Sequence, residues 1–252
     1  MIVSADAKSL EWVVGSYLSK DKLAYEEIFA GVDVHRSNQI RFKLPGWKDA
    51  EAGIASEEAA LGRLVAKIFV FRLMYGGSAY SYANDPDFTM VSTSEKYWQG
   101  VIEAFYDKYK DFAAWHIKIV QEVTTTGLLV MPTGRIYTFD RTNRGEWPIT
   151  TIKNYPVQGL GADIMSIARV SFSRRFKDAK IDGIQVNTVH DSIVCDVKDH
   201  EVERTAKLFH EVFVDLPANF ERVFRVPFDL PLRCEVSSGP NFYDTVEVRN
   251  EK

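Results

Sequence analysis

Arg63, Lys67, Phe71 and Tyr75 recur at four-residue steps and run into Gly76. On a helix, four residues turn the chain by about 400°, so these side chains form one slowly drifting stripe. Cations one turn apart repel each other slightly. An anion with several charges, such as a triphosphate, would balance Arg63 and Lys67, and the aromatics beyond them could meet a sugar and a base. The same spacing also suits a solvated basic edge beside core aromatics. Two carboxylates form a second set. Asp6 ends a short apolar strand, and Asp191 sits in a tight turn between two strands. Taken singly, each suits a turn former or a helix cap. Taken together, they offer hard oxygen ligands to divalent cations, and magnesium binds one or two carboxylates plus substrate phosphates. Two such ions would lower the pKa of an attacking hydroxyl and neutralise a departing pyrophosphate. Spacing alone does not join Asp6 to Asp191, which lie 185 residues apart.

The elements that must position these groups follow from patterning. Residues 2–5 read as a strand ending at Asp6, and 9–18 and 22–30 as helices. The stretch 31–55 is mixed, with Pro45-Gly46 marking a turn. Ser56 followed by Glu57 and Glu58 predicts a helix start with acids in its first turn. That helix should run to about Met74, burying Leu61, Leu64, Val65 and Ile68 as its apolar stripe, and stop at Gly76-Gly77. Residues 78–91 read as loop. Ser92-x-x-Glu95 reads as a capping box opening a long helix to about Thr124, with Val101, Phe105, Phe112, Ile119 and Val123 facing inward. A hairpin over 131–139 should turn at Thr133-Gly134, and a helix should cover 156–177. Then come a strand–turn–strand over 184–197, centred on His190-Asp191, a helix at 199–214 and a last strand at 228–236. The expected fold class is α+β.

With 252 residues, 46% of them hydrophobic and 26% charged, the chain can bury a sizeable core, and disorder is excluded as its dominant state. No apolar run approaches the roughly 20 residues of a membrane span. The start has no basic segment or cleavage site of a secretory signal. A soluble, cytoplasmic chain with no membrane partner is expected. Cys195 and Cys234 lie in apolar, strand-like runs and read as buried thiols. The net charge of −4 means that any nucleic-acid binding must rest on a local patch or on charge from another segment.

The motifs also occur as an ordered set. Asp6-Ala7-Lys8-Ser9-Leu10-Glu11 comes first, Arg63-x-x-x-Lys67-x-x-x-Phe71-x-x-x-Tyr75-Gly76 second and Val189-His190-Asp191 third. Asp33-Val34-His35 lies between the first two, and Asn154-x-x-x-Gln158-Gly159-x-x-Ala162-Asp163 precedes the third. The chain ends in Glu235-Val236-x-Ser238-Gly239-Pro240-Asn241-Phe242 followed by a tail. Over nearly its whole length the set resembles motifs A, B and C and the closing strand of the DNA polymerase I family (family A), in a phage-like form.

The resemblance implies a polymerase palm with an antiparallel sheet and a helical fingers insertion: palm at 1–19, fingers at 20–145, palm and tail at 146–252. It implies template-directed addition of deoxynucleoside triphosphates to a primer 3′-OH with two Mg2+ ions. Asp6 and Asp191, with the Ala7 carbonyl, would hold the metals. Arg63, Lys67 and His35 would hold the triphosphate, with Lys67 also the proton donor to pyrophosphate. Phe71 would lie against the sugar, Tyr75 and Gly76 would close on the base pair, and Glu11 would occupy the space of a ribose 2′-OH. Asn154, Gln158 and His190 would touch primer, template or minor groove, and Arg135 the template. Several positions depart from the family pattern. Ser192 stands where a Glu is common, Lys8 and Val13 replace Ser and Arg, and Thr150 replaces an Arg. Extra residues before motif B suggest a fingers loop near 45–55. The thumb, the exonuclease domain and the palm strands before motif A have no counterpart here. A fragment or one half of a split polymerase is therefore expected, completed by an upstream chain or segment that supplies the thumb, in the cytoplasm of a bacterial host if viral. Two rival readings are a single-subunit RNA polymerase, which Glu11 opposes, and a non-catalytic nucleic-acid-binding module of the same fold.

Overall fold

The computed structural model describes residues 1–248. In chain order the elements are β1 (Ile2–Ala7), α1 (Leu10–Ser19), α2 (Lys22–Phe29), α3 (Val34–Phe42), α4 (Trp47–Ala52), α5 (Glu57–Met74), α6 (Ala79–Ala83), α7 (Pro86–Thr89), α8 (Glu95–Lys108), α9 (Lys110–Thr126), β2 (Leu128–Val130), β3 (Ile136–Thr138) and α10 (Ile149–Asp178). Then follow β4 (Gly183–Val189), β5 (Ser192–Val197), a 3-10 turn, α11 (Val202–Val214), α12 (Leu216–Phe224), β6 (Cys234–Gly239) and β7 (Val246–Glu247). The chain divides into two compact units. The first holds Met1–Val14, Met131–Arg135 and the chain from Gln158 onward; the second holds Gly15–Val130 and Ile136–Val157.

The first unit is built on an antiparallel sheet of order β4-β5-β1-β6-β7. This is the α+β architecture expected, with the N-terminal strand between the hairpin and the last long strand. Alternation sends Val3, Ala5, Ile193, Cys195 and Val236 to a buried face. Helix α11 packs on β1 and β6, and its Phe209 stacks on Phe172 of α10 with ring centroids 3.9 Å apart. Both cysteines are buried and unbridged. Residues 228–233 are not the first half of the last strand: β6 begins at Cys234. Phe228, Leu230 and Leu232 alternate and are buried, but Pro227 and Pro231 lack the N–H a ladder needs.

The second unit packs around Phe69, Tyr82, Phe88, Trp98 and Phe105, all fully buried. Helix α5 has the predicted bounds, and the Ser56 hydroxyl accepts from the Ala59 N–H as its N-cap. Its buried face differs from the predicted stripe. Gly62, Val65, Ala66, Phe69, Val70 and Leu73 face inward, whereas Leu61 and Leu64 are 38% and 51% exposed. Close packing sets the phase: a Cβ on Gly62 would overlap the Pro45 carbonyl oxygen. The region 31–55, read as mixed with a turn at Pro45-Gly46, contains α3 and α4 on either side of that turn. The buried face of α3 includes His35, Asn38 and Gln39, so apolar periodicity could not reveal it. Gln39 Nε2 donates to the carbonyls of Pro45 and Ala59 at 2.7 and 2.9 Å.

The predicted loop 78–91 folds as α6 and α7, burying Tyr82 and Phe88. The N-cap of α8 is Ser94, not Ser92. The expected single helix to 124 breaks at Tyr109 into α8 and α9. Asp21, which caps α2, also accepts from the backbone N–H groups of Asp111 and Phe112 at 3.0 and 3.1 Å. Hairpin β2–β3 opens earlier than predicted, with Gly134 in the left-handed region of its turn. Helix α10 starts seven residues before Pro156, which lies inside it. The helix expected at 199–214 is a 3-10 turn plus α11, and α12 was not foreseen.

Candidate functional site

In the first unit, strand pairing brings Asp6 and Asp191 to neighbouring backbone positions. Asp6 lies directly opposite Ser192 in the β1–β5 register, and the Ala7 N–H donates to the Asp191 carbonyl at 3.0 Å. Asp191 therefore flanks the end of β1 that carries Asp6. The β4–β5 connection is the two-residue turn His190-Asp191, because Val189 pairs with Ser192. His190 adopts φ 51° there, a conformation in which His is enriched among non-glycine residues. The Ser192 hydroxyl donates to the Val189 carbonyl at 2.9 Å, so the residue standing for a Glu closes the turn.

One member of this row was not foreseen. Glu235 lies directly opposite Asp6 across β1–β6, so both carboxylates leave the same face of the sheet. Lys8 bridges Glu235 at 2.9 Å. The sequence offered no signal for this beyond placing Glu235 in the last strand, since register alone makes them neighbours. Cys234, opposite Ala7, is a poor ligand by contrast: burial first, then the Asp6 and Glu235 charges, push its thiol up to about 12.

Asp6, Asp191 and the Ala7 carbonyl offer oxygen donors alone, a chemistry that suits magnesium over softer metals. Among the described residues, no group of three or more His, Cys, Asp or Glu side chains is placed to hold a metal ion. Two carboxylates are what magnesium needs when phosphate oxygens and water complete its shell. Glu11 lies half-buried in the first turn of α1. Arg135 is held by Asp163 of α10, which also accepts from the Thr133 hydroxyl at 3.1 Å.

In the second unit the stripe on α5 forms as spaced. Lys67 is exposed, and Arg63, Phe71 and Tyr75 are partly so. The Arg63 Nε donates to Asp33 Oδ2 at 2.6 Å, while Asp33 Oδ1 caps α3 through the N–H groups of His35 and Arg36. Burial works to raise the Asp33 carboxyl, but the Arg63 hydrogen bond, the Arg36 N–H and the Arg63 and His35 charges hold it below its ordinary value. Lys67 Nζ stands 5.8 Å over the Phe71 ring, and His35 meets that ring edge-on at 5.6 Å. His35 is itself buried, and its Nδ1 has no hydrogen-bond partner among the described residues. Burial pushes it down to about 4 against the pull of Asp33, and Arg63 and Lys67 add to the shift. At neutral pH the cationic groups here are thus Arg63 and Lys67, with a neutral imidazole beneath Phe71. Gly76 takes φ +88° just past Tyr75, the C-cap of α5, and a Cβ there would come within 3.3 Å of Lys153 and 3.5 Å of Thr150. Asn154 is half-buried and Gln158 exposed; one helical turn apart on α10, they share a face.

The family model for DNA polymerase family A matches residues 1–244. The chain belongs to DNA polymerase family A. Relatives include DNA polymerase I of Geobacillus stearothermophilus, 25% identical over 97% of this chain and 26% of that protein. DNA polymerase I of Aquifex aeolicus is 29% identical over 83% of this chain and 34% of its own length. A DNA polymerase of Bacillus phage SP01 is 24% identical over 87% of this chain and 24% of its own. This family A chain thus spans a quarter to a third of the length of these relatives. The fold is also that of the POL domain of Pol1 from M. smegmatis, solved in complex with DNA primer-template and dNTP. That match has a TM-score of 0.73 and 21% identity, and covers 94% of this chain and 39% of that one.

Proposed function

We propose that this chain carries the palm and fingers of a DNA-directed DNA polymerase that extends a primer 3′-OH with deoxynucleoside triphosphates. The observation that carries the reading is the register that seats Asp6 beside Asp191, from opposite ends of the chain. The first unit is read as palm and the second as fingers. When bound, two Mg2+ ions would activate the primer hydroxyl and stabilise the pyrophosphate, and the residues to hold them are Asp6, Asp191 and the Ala7 carbonyl. Arg63 and Lys67 hold the triphosphate, with Asp33 fixing the Arg63 fork in advance. Lys67, an ammonium one turn from Arg63, donates the proton that the leaving pyrophosphate takes up. His35 supports Phe71 from beneath, and Phe71 lines the sugar. Tyr75 and Gly76 bound the base pair. Glu11 excludes a 2′-OH, which favours a DNA over an RNA polymerase. Asn154, Gln158, His190 and Arg135 face primer–template. This is positioning and charge stabilisation, which is what phosphoryl transfer asks of a protein.

The matched relatives continue well beyond the region shared with this chain. We accordingly read the chain as working with an upstream polymerase segment or chain that supplies a thumb, and the phage relative supports a viral setting. The test is extension of a labelled primer–template with magnesium and all four deoxynucleotides, by this chain alone and with its upstream partner. Asp191→Ala should lower the rate by at least about 100-fold, close to 3 kcal/mol in the barrier. Wild-type rates in Asp191→Ala would refute the metal assignment, and DNA binding without turnover in the completed enzyme would favour the non-catalytic module.

A further inference from the structure

In the first unit, α10 and α12 line a groove of about 530 Å³. Ile167, Val170 and Arg174 come from α10, and Asn219, Arg222 and Val223 from α12. Their spacings, i, i+3, i+7 and i, i+3, i+4, each define one helix face. Those faces are unfinished as packing. Val170 and Val223 are 50% and 54% exposed within the groove. Asn219 is nine-tenths buried, and its Oδ1 accepts from Arg222 at 2.8 Å while its Nδ2 has no partner among the described residues. An orphaned buried amide is rare in a finished core. Arg174 has no ion-pair or hydrogen-bond partner among the described residues.

Charge singles out what the groove would take. The groove wall carries Arg174, Arg175 and Arg222 against Asp163; Arg175 is paired with Asp215 and Asp163 with Arg135, which leaves Arg174 and Arg222 to face an acidic ligand. From this geometry we infer that the groove is a docking site for an amphipathic helix of a partner protein, with apolar anchors at i, i+4 and i+7 flanked by Asp or Glu. The anchors cover Ile167, Val170 and Val223, the acids meet Arg174 and Arg222, and a side-chain acceptor satisfies Asn219. A DNA backbone would use the arginines and leave the apolar walls wet. The inference does not depend on the polymerase reading.

The probe is a fluorescein-labelled helical peptide of about five turns with leucines at those anchor positions and flanking glutamates. Its controls are a twin with glutamine for every glutamate, a scrambled sequence and a short DNA duplex. Fluorescence anisotropy against the whole chain should show saturable binding of the acidic peptide. Arg174→Glu, Arg222→Glu and the glutamine twin should each weaken it by at least about tenfold. Val170→Asp should do the same through the apolar wall. Arg174, Val170 and Arg222 are exposed, so circular dichroism melting should show these variants folded. No binding, equal binding by the glutamine twin or the scrambled sequence, or an Arg174 dependence seen for duplex DNA but not for the peptide would each overturn the proposal.

Discussion

Lys8 and Glu235 show how a single pair can tune a charged site. The bridge between them keeps one carboxylate beside Asp6 partly neutralised. Lys8→Ala would leave that charge uncompensated next to Asp6, one of the two carboxylates proposed to hold magnesium. The half-saturating magnesium concentration for primer extension should then fall by about two- to fivefold, an effect that shrinks as salt rises. An unchanged magnesium curve would separate Glu235 from the site. Glu11→Ala should relax the choice of sugar towards ribonucleotides, read as the ratio of deoxy- to ribonucleotide incorporation. Part of the candidate site's placement was legible in the sequence because spacing there is geometry: Arg63, Lys67 and Phe71 share α5, and His190-Asp191 is a turn flanked by two strands. Glu235 was not, because its nearness to Asp6 exists only in a sheet register. Nor was the burial of His35, since a polar helix face gives no apolar period.

The long helices illustrate what local signals can and cannot say. Helix α5 was read to its ends because Ser56, two glutamates and paired glycines mark it locally. The break between α8 and α9 was invisible, since Asp21 caps it from far away in sequence. Asp21→Ala should therefore act on two helices at once, freeing the Ala24 N–H and those of Asp111 and Phe112. Losing a buried shared cap should cost about 2–3 kcal/mol in urea unfolding, above the typical single-cap value. A loss near that of an ordinary surface cap would show that water replaces the carboxylate. Pro156 misled in the opposite sense. Proline favours a helix start, yet α10 passes through it, leaving the Ile152 carbonyl without its usual i+4 donor.

Across the whole molecule, the α+β class followed from the mixture of helix and strand patterns and the antiparallel sheet from the family resemblance, while the irregular approach to β6 was hidden by an alternating apolar run between prolines. Stability should depend on pH through two buried imidazoles in the second unit. Burial pushes His35 down to about 4 and His116 to about 3, the latter also through Lys153. Both stay neutral in the folded chain and bind protons below about 6.5 once unfolded. The unfolded state therefore holds more protons between about pH 6.5 and 4, and stability falls as pH drops through that window. Together these two groups should contribute close to two protons to the slope of unfolding free energy near pH 5, and His116→Gln should remove close to one of them.

The two cysteines bear on how such a chain can be studied. Cys195 and Cys234 are buried, and burial keeps both thiols protonated up to about 12. Maleimide reacts with exposed thiolates, so at neutral pH the native chain should take up almost no dye. A cysteine introduced at Tyr80 of the second unit and another at Ser173 of the first, both exposed in the sequence as it stands, would then be labelled without removing either native thiol. A dye at either position would report on its own unit in an otherwise unaltered protein.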